Sequence, residues 1–157
     1  MRWIKWPTAM LLVAAVVITA VIWLGRSNQA APGQTVQSGR AASGATTQTS
    51  EGGGVTVVVK WAGKDVGPVF KVTMDTHSVD LDGYDLTRLS TLRTDDGREA
   101  LPLTWDAPKG GHHREGKLTF SANALDGKPL VGTDTKGLEL IIYDVAGVAQ
   151  RSFKWIP

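Results

Sequence analysis

The chain has 157 residues, enough for one ordinary domain and additional segments, and it contains no cysteine. That excludes disulfides, a lipid-modified cysteine anchor, thiolate metal sites and cysteine nucleophiles. The formal charge of +2 is unevenly spread: Arg2, Lys5, Arg26 and Arg40 stand against Glu51 in the first 54 residues, while residues 55–157 carry 13 Lys/Arg and 14 Asp/Glu, so the globular part is no basic nucleic-acid binder.

Residues 1–5 read as a cytoplasmic stub and residues 6–25, WPTAMLLVAAVVITAVIWLG, as a transmembrane helix acting as a signal anchor. The run holds no charge, and 20 helical residues span about 30 Å, the thickness of a bilayer's hydrocarbon core. Pro7 falls in the first turn, where its missing N–H costs little. Trp3, Trp6 and Trp23 bracket the run as interfacial aromatics do. Arg2 and Lys5 precede it and Arg26 alone follows closely, which places the N-terminus in the cytoplasm and the remainder outside the membrane. The alternative is a cleaved signal peptide, but the apolar run is longer than such peptides use, and SNQAAPG lacks a small residue three before a cut after Ala30. Either reading exports the rest of the chain.

Residues 26–54 are rich in Gly, Ser, Thr and Gln and hold no aromatic residue and one branched aliphatic, Val36. Such a stretch buries no core, and a disordered tether is expected, about 30 Å end to end if it behaves as a Gly/Ser coil. From Val55 the pattern changes to alternation, the mark of half-buried antiparallel strands. Seven strands are expected, over residues 55–61, 68–74, 89–94, 99–106, 117–122, 138–145 and 150–156. Val55, Val57, Val59 and Trp61 share one face, as do Phe70, Val72 and Met74, and Leu101, Leu103 and Trp105. Trp61, Trp105 and Trp155 are expected in the core. AGKDVGP, DDG, PKGG, LDGKP and VAG supply turns between the strands, and no long amphipathic helix is evident. The expected fold is therefore all-β, an antiparallel β-sandwich of immunoglobulin or fibronectin III type over residues 55–157. An up-and-down barrel is the competing architecture.

The chain's three histidines are His77, in DTHSVDLDGYD, and His112 and His113, in GGHHREG. Successive antiparallel strands reverse direction, so alternate connections gather at one end. Parity puts His77, His112 and His113 together, with Asp75, Asp80, Asp82, Asp85, Asp106, Glu115 and Asp144 as supporting acids. It also predicts that the tether joins the domain beside this end. Imidazoles with carboxylates suit a transition metal, copper first and zinc as the alternative, although the spacing matches no strong motif. Asp80, Asp82 and Asp85 lack the ligand set of a calcium loop and read as turn formers. No nucleophile elbow, phosphate loop or zincin motif is present, and no catalytic residue is assigned. The bland account is that the histidines brace polar loops and bind nothing.

The run from Asp75 to Phe120, with its DTHSVDL and GGHHREG pieces, and the later LIIYDVAG resemble those of uncharacterised bacterial membrane-anchored proteins with a small extracytoplasmic β-sandwich. The resemblance implies a bacterial cell membrane, a single pass and a shared purpose for the histidine loops, and it carries no catalytic role. The expected function is a membrane-anchored binding module with a histidine metal site. The alternative is a structural or interaction module for an envelope or membrane protein, without metal or nucleic acid.

Overall fold

The computed structural model describes residues 46–157. The cytoplasmic stub, the 6–25 span and most of the expected tether lie outside the described residues. Nine strands run β1 (Thr47–Gly52), β2 (Val55–Trp61), β3 (Val69–Thr76), β4 (Ser90–Thr94), β5 (Glu99–Ala100), β6 (Pro102–Asp106), β7 (His113–Phe120), β8 (Leu138–Val145) and β9 (Val148–Trp155). They form two antiparallel sheets, one in the order β1-β2-β3-β7-β6 and the other β5-β4-β8-β9. The described residues contain no helix.

The alternation read from the sequence places the core. Val55, Val57, Val59 and Trp61 on β2 are buried, as are Phe70, Val72 and Met74 on β3. Leu92, Leu138, Leu140, Ile142 and Phe153 face them from the second sheet. Met74 is wholly buried and is not turned toward His77. Trp61 and Trp155 close one end of the core with ring centroids 6.4 Å apart, and Phe70 meets Trp155 at 5.2 Å.

Three expectations need correction. The tether was expected to reach residue 54, but Thr47–Gly52 form β1, paired with β2 from Thr47↔Lys60 to Gly52↔Val55. Gly53 and Gly54, at φ 61° and 73°, make the two-residue turn, where two consecutive left-handed residues match the twist of the flanking strands. Because β1 reverses the chain once more, Thr46 lies at the end opposite the histidine loops, where its carbonyl accepts from the Trp61 backbone N–H at 3.0 Å and from Trp155 Nε1 at 3.2 Å. The chain therefore joins the domain at the tryptophan end, not beside the histidines. Finally, Leu101 and Leu103 are not core residues; they are 55% and 63% exposed. The expected 99–106 strand divides at Leu101, where the chain leaves the second sheet for the edge of the first, and the register shifts between Pro102 and Thr104, which breaks the inward series. Trp105 is accordingly only half-buried.

The polar inward positions of β1 form a seam between the sheets. Arg151 of β9 is 2% exposed, and its guanidinium donates to the carbonyls of Ser50 (3.2 Å) and Gly52 (2.7 Å) and to Ser50 Oγ (3.2 Å). Gln48 of β1 accepts from the Lys154 N–H at 2.9 Å and donates to the Lys154 carbonyl, as another strand's backbone would. No carboxylate meets Arg151 among these contacts, and burial lowers its pKa from the ordinary 12.5.

Arg151→Ala should cost about 3 kcal/mol, because it removes a buried charged donor and leaves the half-buried Ser50 and Gly52 carbonyls without it; urea unfolding together with amide exchange along β1 measures this. Gly53→Ala should cost at least about 2 kcal/mol and more than Gly54→Ala. A Cβ at Gly53 would stand 1.9 Å from the Ala146 carbonyl, whereas at Gly54 it meets only Ser78 Oγ, at 3.6 Å.

Candidate functional site

Four connections meet at the end opposite Thr46: the β1–β2 turn, the β3–β4 loop, the β6–β7 loop and the β8–β9 turn. Parity is right for the histidines. His77 follows β3 directly, His112 precedes β7 and His113 begins it. The backbone joins them, since the Thr76 N–H donates to the His112 carbonyl at 3.0 Å and Asp75 pairs with His113 across the strands.

A chain of polar contacts locks the four connections together. Arg114, 8% exposed, extends from β7 and donates through one Nη to the carbonyls of Leu81 (3.1 Å) and Tyr84 (2.7 Å). Its guanidinium carbon lies 5.6 Å from the centroid of the Trp105 ring, within cation–π range. The Tyr84 hydroxyl accepts from the Ala146 N–H at 3.0 Å, which links the β3–β4 loop to the β8–β9 turn. Asp82 Oδ1 accepts from the N–H groups of Gly110 (2.9 Å) and Gly111 (3.2 Å), which links it to the β6–β7 loop. These two bonds hold the Asp82 carboxyl below its ordinary range, helped by the charges of Lys109 and Arg114. Thr76 Oγ1 donates to the Gly54 carbonyl at 2.7 Å and reaches the β1–β2 turn. Ala146, at φ 54°, is a non-glycine residue in the left-handed region, held there between Tyr84 and Gly53.

The expected site residues divide into groups within this frame. The His112 Nδ1–H donates to the Val79 carbonyl at 3.1 Å, which turns the ring over the β3–β4 loop. His113 Nδ1 bonds Asp75 on the outer face of the five-stranded sheet. The two adjacent imidazoles are thus engaged by different elements. Asp80 accepts from the Asp82 N–H at 3.0 Å, and Asp85 accepts from the Thr87 hydroxyl (2.7 Å) and N–H (3.0 Å), so both form local turns. The Thr87 bonds lower the pKa of Asp85. Glu115 bonds Lys71 (2.8 Å) and Thr73 (3.1 Å), and these partners lower its pKa. Asp106 ends β6 opposite Lys117, and Asp144, at φ 53°, lies exposed near the end of β8. Among the described residues, no three His, Asp or Glu side chains gather into a set that could hold a metal ion.

Sequence reasoning missed two features of this molecule. One is the inward place of Arg114, which a loop reading would pair with one of the acids: β7 begins at His113 rather than at Lys117, and the guanidinium bonds loop carbonyls instead. The other is a groove of about 400 Å³ at the tryptophan end, lined by Arg93, Thr94, Asp95, Glu139, Lys154 and Trp155. Arg93, Glu139 and Lys154 stand in one cross-strand row. Glu139 there accepts from Arg93 Nη2 at 2.7 Å, bonds Ser152, and lies 3.4 Å from Lys154 Nζ. Burial opposes its charge, but Ser152, Arg93 and Lys154 outweigh that and leave its pKa lowered. No family model, curated protein or solved structure matches this chain.

The folded state holds Asp82 ionised below its ordinary value of 3.8, so its contribution is complete above that value and is lost as pH falls through the lower folded one. Protection of the Gly110 and Gly111 amides should fall over that window. Asp82→Asn keeps an acceptor but no titrating proton, and should make their protection independent of pH there. Exchange measured by NMR against pH decides.

Proposed function

We propose that this protein is a membrane-anchored, extracytoplasmic interaction module that does no catalysis and binds its partner, an envelope or membrane protein, through the histidine-bearing end. The strand order β2-β3-β7-β6 over β5-β4-β8-β9 corresponds to the A-B-E-D and C′-C-F-G order of immunoglobulin domains, with β1 as an additional edge strand. In that architecture the connections clustered at one end are the usual binding surface, held in place by the sheets beneath them. The observation that carries the reading is the bracing by Arg114, Asp82 and Tyr84. It orders loops that still leave His77, His112 and His113 exposed, at the end away from Thr46. Ordered exposed loops reduce the entropy lost on association.

A second reading keeps copper, or zinc, at this end. It is favoured by one observation: His112 and His113 each engage a protein oxygen through Nδ1. With Nδ1 tied in this way Nε2 is the ligating atom, as in many metal sites. His77, the third imidazole, would have to move to join them.

Two measurements test these readings. The chain has no cysteine, so Ser78→Cys and Lys5→Cys give single labelling sites. In intact cells an impermeant maleimide should label position 78 at once and position 5 only after permeabilisation; the reverse pattern would sink the exported, anchored reading. For the metal, the full-length protein in detergent should melt at the same temperature with or without stoichiometric Cu(II) or Zn(II). A rise of several degrees, lost in the His77→Ala, His112→Ala, His113→Ala triple variant, would install the metal reading instead, since a ligand at about 100 times its Kd adds roughly 2.7 kcal/mol.

A further inference from the structure

No other described strand is attached to the domain as β1 is. Its sequence, TQTSEG, holds no hydrophobic residue, and the buried core begins only at Val55. It is an edge strand whose one partner in the sheet is β2, so its departure breaks no other strand pairing. Its inward contacts are hydrogen bonds to β9: Gln48 to the Lys154 backbone, and the carbonyls of Ser50 and Gly52 with the Ser50 hydroxyl to Arg151. Such bonds add little net free energy but are costly to leave unmade. β1 is therefore held less by burial than by the need to satisfy what lies beneath it. Without β1 the Arg151 guanidinium, 2% exposed, loses these acceptors. The edge of β2 is bared as well. VTVVVKW carries four valines and one charge, the composition of a strand that pairs readily with another chain. The place of β1 is thus a slot that demands a strand.

Gly53 and Gly54 alone join β1 to β2, at φ 61° and 73°. Glycine adopts extended dihedrals as readily as left-handed ones. The closed turn also fits tightly, since a Cβ at Gly53 would stand 1.9 Å from the Ala146 carbonyl oxygen. When both glycines extend, β1 and β2 run on as one strand, and β1 reaches past the histidine end of its own domain. We infer that two copies of this chain exchange β1 about a two-fold axis at Gly53 and Gly54, each lending the strand that fills the other's slot. A second copy is the occupant with the right register. It supplies the Gln48 carboxamide, the Ser50 hydroxyl and the carbonyls of Ser50 and Gly52 at the spacing they have in the closed chain. Each of these contacts of β1 is kept, so exchange costs chiefly the entropy of association, which concentration offsets. In the exchanged pair the two histidine ends face each other across the hinge.

The test uses the full chain in mild detergent, and the absence of native cysteine makes it clean. Thr49 of β1 stands directly opposite Val58 of β2. Opposed residues on antiparallel strands lie about 4.5–5.5 Å apart at Cα, within reach of a disulfide. A Thr49→Cys chain is mixed with a Val58→Cys chain, equilibrated at about 100 μM so that association is favoured, and then oxidised. Mass spectrometry of the digest reads the links. Random collision joins like positions as often as unlike ones. Exchange lays position 49 of one copy on position 58 of the other, so the unlike link should exceed the two like links together by at least about fivefold. Gly53→Ala in both chains should bring the dimer in at a concentration at least about tenfold lower, read by light scattering, because the closed turn alone suffers the methyl group and the positive φ. A chain with both cysteines, oxidised within itself when dilute, is locked closed and should stay monomeric. Links in the random proportion, or no links, overturn the inference. So does a locked chain that dimerises as readily as the wild type, which would assign the dimer to another face. Where Gly53→Ala does not fold, the links between the otherwise unaltered chains decide.

Discussion

A sandwich without disulfides has to join its sheets by packing and side chains alone, and here the joint along one flank rests on the guanidinium of Arg151. It sits almost wholly buried between β9 and β1, and its two Nη groups bond two backbone carbonyls and a serine hydroxyl rather than a carboxylate, while Nε is left without a partner among the described residues. A buried cation is tolerated only where oxygen atoms replace its water. That requirement holds Ser50 and Gly52 in position, and with them the whole of β1. Gln48 adds the equivalent of one more strand pairing two residues away. The glycine turn that starts β2 then packs against the Ala146 carbonyl. The domain boundary follows from this seam: β1 is part of the fold, and its reversal carries the chain's junction to the tryptophan end.

Arg114 solves the corresponding problem at the histidine end. It too is buried, and its Nη contacts are carbonyls of the β3–β4 loop, with the Trp105 ring alongside. Two buried arginines, one from each sheet, therefore convert loose chain into fixed structure. The first secures an edge strand and the second a loop. The acids around the histidines act in the same way. Asp82 bridges two loops, while Asp80 and Asp85 close turns. What remains exposed at this end is a set of imidazoles on a braced base.

Much of the fold was legible because burial leaves a period of two in the sequence. β2, β3 and β8 could be read within a residue or two, and parity correctly gathered the three histidines. β1 was not legible, because its inward positions are Gln48 and Ser50. Their burial is made favourable by Lys154 and Arg151, more than 100 residues later. A hydrophobic pattern cannot register a position that is buried by hydrogen bonding. Leu101 and Leu103 misled for the opposite reason. They alternate like core residues, yet the chain there is crossing from one sheet to the other, and alternation along a strand does not say when the strand changes partners.

The site shows the same division. The spacing of turns placed His77 near His112 and His113, but not the direction of their side chains. His112 turns to Val79 and His113 to Asp75, because consecutive residues entering a strand point to opposite sides. The sequence by itself determined the all-β antiparallel class, the core faces of most strands and the shared end of the histidines, since these follow from local alternation and the count of chain reversals; the division into two sheets rather than a closed barrel came from the pairing of the strands. Only the tertiary structure decided that β1 exists, which end receives the chain and which loops Arg114 and Asp82 tie together. Each of these depends on register between segments far apart in the chain, and register is set by packing and hydrogen bonds that no single segment contains.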